Sequence, residues 1–311
     1  MRAVALTVLT LLSCHLTAAY TLSAENPFLR IRVEGGWLRE LQVDPSGKGK
    51  YVPSRWLGLA AGDEAVLNIP PTGEGRVQGN RLVWRGATLL IPRKTLATTE
   101  RKEALRLEAG HTLAQEFELN EPGLTVVEVN CPTWYTSDSG MTLSLWRLEG
   151  GSWREVARQR FTNVQDNGWV RLVVAPQPAG RYRVQMSEPV GTIGWWSTPE
   201  RRLPHSVPLR DGQPANEGER CVRLILFDAR RVDVVYTLLR NRLQVTVQGG
   251  EVKEWVLLTP WKAEGTDATN PQRILFRRFF SDTGRYLPVE QLKRRDGLEW
   301  GMEANDWLEL T

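Results

Sequence analysis

The chain has 311 residues, 41% hydrophobic and 24% charged, which excludes a disordered polymer and leaves room for one large β domain or two ordinary ones. Its 40 Lys and Arg against 36 Asp and Glu leave a formal charge of +4, spread over the whole length. That balance lacks the concentrated basic face of a nucleic-acid binder, so no nucleic-acid partner is expected. The one tight basic run, Lys293-Arg294-Arg295, reads as a solvated helix end.

The first residues differ from the rest. Arg2, the apolar run 3–12 and the small residues Thr17-Ala18-Ala19 have the order of a secretory signal peptide over 1–19, cleaved before Tyr20. A second reading of Leu11-Leu12-Ser13-Cys14 is a bacterial lipoprotein signal, with Cys14 as a lipid anchor. Either places the mature protein outside the cytoplasm: secreted, periplasmic or at the cell surface. No other stretch is long and apolar enough for a transmembrane helix. Two cysteines remain after processing, Cys131 and Cys221. In an oxidising compartment they form one disulfide, or they are two small buried hydrophobes; both readings stay open.

From residue 26 the pattern is that of strands. Leu29, Ile31 and Val33 alternate with Arg30, Arg32 and Glu34, the period of a half-buried strand. Gly35-Gly36 supplies positive φ for a tight turn into Trp37, Arg39, Leu41 and Val43. A longer turn over 44–49 leads to expected strands at 65–69, 81–84, 87–91 and 104–108, with Gly79-Asn80 as a further turn. From 110 the rhythm tightens to about eight strands in under ninety residues, with turns at 121–123, 150–151, 166–168 and 178–180. There Met141, Leu143 and Leu145 share one face, as do Val170, Leu172 and Val174, and Tyr182, Val184 and Met186. The stretch 198–218 is rich in Pro, Gly and polar residues and reads as a linker or surface loop. Strands resume at 221–227, 232–238, 243–247 and 252–258, with Gly249-Gly250 expected to join the last two as a hairpin. The best helix candidate is 288–295, with Pro288 near its first turn.

The expected fold class is therefore all-β: a jelly-roll β-sandwich inserted in, or packed on, a second, larger antiparallel β-sandwich, with a short C-terminal helix. The expected segments are the signal peptide 1–19, outer sandwich 25–109, jelly roll 110–198, linker 199–218, the rest of the outer sandwich 219–285, and a helical tail 286–311. The opening, Asn26-Pro27-Phe28-Leu29-Arg30-Ile31 through Asp44-Pro45-Ser46-Gly47-Lys48-Gly49, resembles the supersandwich β domain that precedes the helical catalytic domain in bacterial glycoside hydrolases. The 110–196 block resembles galactose-binding-like jelly rolls. The likeness rests on strand count, turn placement and aromatic content. In such enzymes a helical catalytic domain follows; none is read here, so the resemblance implies no activity for this chain.

Trp134, Trp146, Trp153, Trp169, Trp195 and Trp196 place six of the 13 tryptophans between His111 and Ser197. Sugar rings stack their C–H faces on indole and phenol rings, while their hydroxyls need polar partners, so aromatic platforms suit carbohydrate. The candidate carbohydrate-binding residues are Trp134 and Tyr135 in the 132–140 loop, Trp146 and Trp169 on polar strand faces, and Asp138 and Arg171 beside them. The alternative is that these indoles are internal packing. Trp195 and Trp196 are neighbours on a strand and so face opposite ways, one to the core and the other to the flanking sandwich or a ligand. Asn163 and Asp166, with Asn167 and Asp138, are candidate oxygen ligands of a structural calcium ion; the same Asp-Asn-Gly is also explained as a turn.

Catalytic signals are missing from the sequence. His111 and His205 fall in different surroundings, no Cys-x-x-Cys or His-x-x-x-His spacing occurs, and there is no nucleophile elbow or phosphate-binding glycine loop. The expected function is non-catalytic binding of polysaccharide or glycan. Two alternatives stay open: a glycoside hydrolase or polysaccharide lyase with a site between the sandwiches, and a structural or surface-interaction module.

Overall fold

The computed structural model describes residues 21–252 except 45, 54–57, 241 and 251, and the backbone of 254–258, 276–280, 287–288 and 307–310. The chain is all-β. Strands β1 (Thr21–Glu25), β2 (Leu29–Glu34), β3 (Trp37–Val43), β4 (Val52–Pro53) and β5 (Gly58–Ala61) lead to a 3-10 helix, Glu64–Asn68, then to β6 (Glu74–Gln78) and β7 (Arg81–Thr98). Next come β8 (Glu103–Arg106), β9 (Leu113–Leu119), β10 (Leu124–Cys131), β11 (Gly140–Glu149), β12 (Ser152–Phe161), β13 (Gly168–Gln177), β14 (Gly180–Val190) and β15 (Gly194–Thr198). After β16 (Val207–Arg210), β17 (Gln213–Pro214) and β18 (Glu219–Arg220) the chain runs through β19 (Val222–Leu239) and β20 (Arg242–Gln248). The last described strands are β21 (Glu254–Leu258), β22 (Phe276–Phe280), β23 (Leu287–Pro288) and β24 (Trp307–Leu310).

Two cores organise these strands. In the outer one, Ile31, Val33, Trp37, Leu38 and Leu59 of the sheet β1-β2-β3-β5-β21-β22 pack against Leu82, Trp84, Leu89, Val234 and Tyr236 of β7 and β19. In the other, Phe117, Leu143, Leu145, Tyr182 and Val184 of the sheet β12-β11-β14-β9-β16-β17 pack against Val127, Val129, Val170, Leu172 and Leu224 of β10, β13 and β19. The antiparallel ribbon β7–β19 thus serves both cores from successive parts of its length. Eighteen residues per strand at about 3.3 Å each span about 60 Å, against about 20 Å for an ordinary strand. The chain leaves the ribbon after Thr98 and re-enters at Val222, its pairing partner, and all of β8 to β18 lies between. Strand β10 carries apolar side chains to both faces: Leu124, Val127 and Val129 join the inner core, while Val126 joins the outer one. With both faces covered all eight residues are buried, Thr125, Glu128 and Asn130 among them.

Several local expectations hold in detail. Gly35 and Gly36 have φ of 60° and 93° between β2 and β3. Met141, Leu143 and Leu145, then Val170, Leu172 and Val174, then Tyr182, Val184 and Met186 are all in one core. Others are corrected. Residues 65–68 lie in the 3-10 helix instead of a strand and Ile69 is its C-cap, because Asp63 caps the helix start, accepting from Ala65 N at 3.1 Å. The expected pairs 81–84 with 87–91, and 221–227 with 232–238, are each one strand. In β19 the break falls at 228–231, exposed where the ribbon passes between the cores, and in β7 it falls at Arg85-Gly86, a bulge opposite Asp233 whose Oδ1 accepts from Gly86 N at 3.1 Å. Gly249-Gly250 does not close a hairpin: β21 pairs with β5 and β22, and β20 with β19 and β24. The glycines carry the chain from one sheet to the other, and a Cβ on Gly250 would stand 2.9 Å from Val232 Cγ1. The 199–218 stretch is more than a linker, since β16 pairs with β9 and extends its sheet. Of the expected helix at 288–295, Pro288 ends β23 and the rest lies outside the described residues, as do the signal segment and Cys14.

A candidate aromatic binding face

The Thr133–Thr136 turn presents two aromatic side chains to solvent. Trp134 is 41% and Tyr135 93% exposed, and both have left-handed backbones, with φ of 50° and 65°. A non-glycine residue in this region costs about 1–2 kcal/mol, and such strain persists only where the surroundings impose it. Here the bracing is dense. Thr136 N and Oγ1 donate to Thr133 O at 3.1 and 2.8 Å, and Thr133 Oγ1 donates back to Thr136 O at 3.0 Å. Thr133 N donates to Asp166 Oδ1 at 2.7 Å, Thr136 Oγ1 meets Ser139 Oγ, and Ser139 Oγ donates to Thr192 O at 2.6 Å.

Strand β15 supplies the floor. Its alternation sends Trp195 into the core, where Nε1 donates to Cys221 O at 2.8 Å, and turns Trp196 outward. Gly194 lies on the Trp196 side of the strand by the same alternation, and Trp134 Cη2 stands 3.0 Å from where a Cβ on Gly194 would be. The Trp134 ring therefore rests on the one residue of this strand that has no side chain. Trp196 Nε1 donates to Asn167 Oδ1 at 2.7 Å. Asn167 has φ of 58° in its turn, and its Nδ2 donates to Asp166 Oδ2 at 2.7 Å. Arg101 Nη2 and Asn130 Nδ2 both donate to Asn167 O, at 3.2 and 2.9 Å. One hydrogen-bonded cluster thus joins the Thr133–Thr136 turn, the 162–168 loop and β15, with Trp134, Tyr135 and Trp196 around it.

The residues singled out from the sequence fall at three places. Trp134, Tyr135 and Asp138 share the 132–140 loop. Trp146 lies on the outer face of the six-stranded sheet, its Nε1 donating to Ser144 Oγ at 3.0 Å. It stands opposite Arg183, whose guanidinium covers the Trp153 ring at 4.3 Å and bonds Glu116 at 2.5 Å. Trp169 and Arg171 lie on β13. The Trp169 ring is covered by the Arg223 guanidinium at 3.8 Å, and Arg171 Nε donates to the buried Glu128 at 2.8 Å. Gly194 and Arg101 join the aromatic face without having been candidates for it, and Trp196, the tryptophan of its pair expected to face the flanking sandwich or a ligand, joins it with them. For Trp196 the signal was its alternation with Trp195; its polar partner, though, is Asn167 of the same module.

Asp166 directs one carboxylate oxygen to Thr133 N and the other to Asn167 Nδ2, and Asn163 is exposed with φ of 53°. Among the described residues no three His, Cys, Asp or Glu side chains converge as a metal site. Cys131 and Cys221 are buried and no disulfide joins them. Burial pushes the Cys221 thiol up to about 12. His111 Nδ1 meets Asp211 Oδ2 at 2.7 Å and His205 meets Glu118 at 3.6 Å, so each of these two histidines has its own carboxylate.

No protein-family model matches the chain, and no curated protein is similar to it in sequence. The all-β architecture of several antiparallel sheets is the part of the expected likeness that the structure carries; kinship with glycoside hydrolases has no support from family or homologue. No described helix is long and apolar enough to cross a membrane.

Proposed function

We propose that the protein binds polysaccharide through the Trp134–Tyr135–Trp196 face, without catalysis and outside the cytoplasm. The observation that carries this reading is the exposed Trp134–Tyr135 pair held in a strained, heavily braced turn. An aromatic pair serving only as core packing has no reason to face water on a left-handed backbone. An aromatic pair serving a ligand benefits from being rigid before binding, because less freedom is then lost on contact. The half-buried indole of Trp196 beside the pair and the amide of Asn167 supply a third ring and a polar edge for a sugar.

The test is a titration of tryptophan emission against a set of soluble polysaccharides, with product analysis alongside. Wild type is expected to show a saturable shift with at least one polymer and to release no product. Tyr135→Ala is expected to bind that polymer about tenfold more weakly, a loss of about 1.4 kcal/mol. Unchanged affinity in both Tyr135→Ala and Trp134→Ala would remove this face from the binding reading. Release of reducing ends or unsaturated products would identify a hydrolase or lyase instead.

A further inference from the structure

We infer that the ligand of this face is an anionic polysaccharide bearing carboxylates, of the uronic acid class, and that Arg101 receives the carboxylate. The inference rests on the binding reading above and adds the chemical class.

Arg101 is exposed, and its one recorded bond is from Nη2 to the backbone carbonyl of Asn167. Three nearby cations are matched by acids. Lys102 pairs with Glu100 at 2.7 Å, Arg106 with Glu108 at 3.5 Å, and Arg202 with Glu200 at 2.6 Å. Among the described residues no carboxylate lies within ion-pair reach of Arg101. A guanidinium carries five N–H donors in a planar fork, and one bond to a carbonyl leaves an edge of that fork for a bidentate carboxylate. The anchoring matters as much as the charge. Asn167 accepts Arg101 on its backbone oxygen and the Trp196 indole on its side-chain oxygen, so one residue fixes the cation and a ring of the aromatic face together. A uronic acid unit presents the same pairing: a C–H face that stacks on a ring, and a carboxylate that projects from the ring's edge. A neutral sugar would leave the guanidinium with hydroxyl contacts only, which are weaker than charge-assisted bonds.

The experiment compares polygalacturonate with the same polymer after carboxyl reduction, and with a sulfated polysaccharide, using the full chain by affinity electrophoresis and tryptophan emission. Wild type is expected to bind the uronate polymer about tenfold more tightly than its reduced form, with the gap closing as salt is raised. Arg101→Gln is expected to lose that gap, its affinity for the uronate polymer falling to that for the reduced form. Its melting temperature should match wild type, since the side chain is exposed. Equal affinity of wild type for both polymers, an unaltered gap in Arg101→Gln, or binding of the sulfated polymer alone would overturn the inference and leave the aromatic face standing. Failure of every polymer to bind would overturn the binding reading itself, and the carboxylate with it.

Discussion

In the outer sandwich, Trp37 and Trp84 are buried, and each indole N–H reaches a backbone carbonyl, Thr88 O at 3.0 Å and Thr72 O at 2.8 Å. In the inserted sandwich only Trp195, of the described tryptophans, is held the same way. Trp146 and Trp196 donate instead to side-chain oxygens, of Ser144 and Asn167, and Trp134 stays open to solvent. An indole bonded to backbone inside a core has both ring faces covered by packing. An indole bonded to a side chain at a rim keeps part of its surface for something else. The contrast also separates the surface tryptophans from one another. Trp153 and Trp169 each lie beneath an arginine, whereas among the described residues no guanidinium covers Trp134 or Trp196.

Removing a core indole should hurt most. Trp84→Ala empties a fully buried site and is expected to cost about 3–5 kcal/mol, read by urea unfolding. A loss under about 1 kcal/mol would mean that the outer core does not depend on this ring. Gly194→Ala comes next. Its new Cβ would stand 2.3 Å from Leu105 O, which belongs to backbone and cannot swing away, so a loss of about 1–3 kcal/mol is expected. Trp134 emission should shift as well, because its ring rests there. Unchanged stability and emission would disprove the close contact between turn and strand.

A smaller effect of opposite sign is expected at Tyr135. Glycine adopts positive φ readily and almost no packing is lost from a side chain so exposed, so Tyr135→Gly should stabilise the fold by about 1 kcal/mol while weakening ligand binding. A destabilised variant would show that the tyrosine is structural and that its strain has no functional side.

The smallest effect is confined to alkaline solution. Burial raises the Cys221 thiol and the Tyr182 phenol to about 12, above their ordinary values of 9.0 and 10.0. The fold binds these protons more tightly than the unfolded chain does. Their contribution is therefore complete below about pH 9 and is lost progressively from there to about pH 12. Unfolding midpoints should be flat from pH 7 to 9 and fall above that range. At pH 8 Cys221 should react with a thiol reagent only after denaturation; fast labelling of the native protein would contradict its burial.

Much of this protein is decided by short-range pattern. Period-two alternation identifies the strands of both sandwiches and assigns Met141, Leu143, Leu145, Tyr182 and Val184 to a core, because burying one face of a sheet demands that spacing whatever the partner. Glycine pairs mark turns for a similarly local reason, and adjacency alone forces Trp195 and Trp196 apart. Tertiary structure decides what pattern cannot express. Strand β19 looks interrupted because its middle is solvated between two cores, and β7 because a bulge at Arg85-Gly86 sits opposite Asp233; both depend on what lies beside them. The same glycine pair can close a hairpin or cross between sheets, and at 249–250 the available partner for β21 lay in β5, nearly two hundred residues earlier. The aromatic face follows this rule most clearly. Trp134 and Tyr135 were legible as exposed loop aromatics. Their union with Gly194, Trp196, Asn167 and Arg101 was not, because contacts between residues so far apart in sequence exist only once the strands have paired.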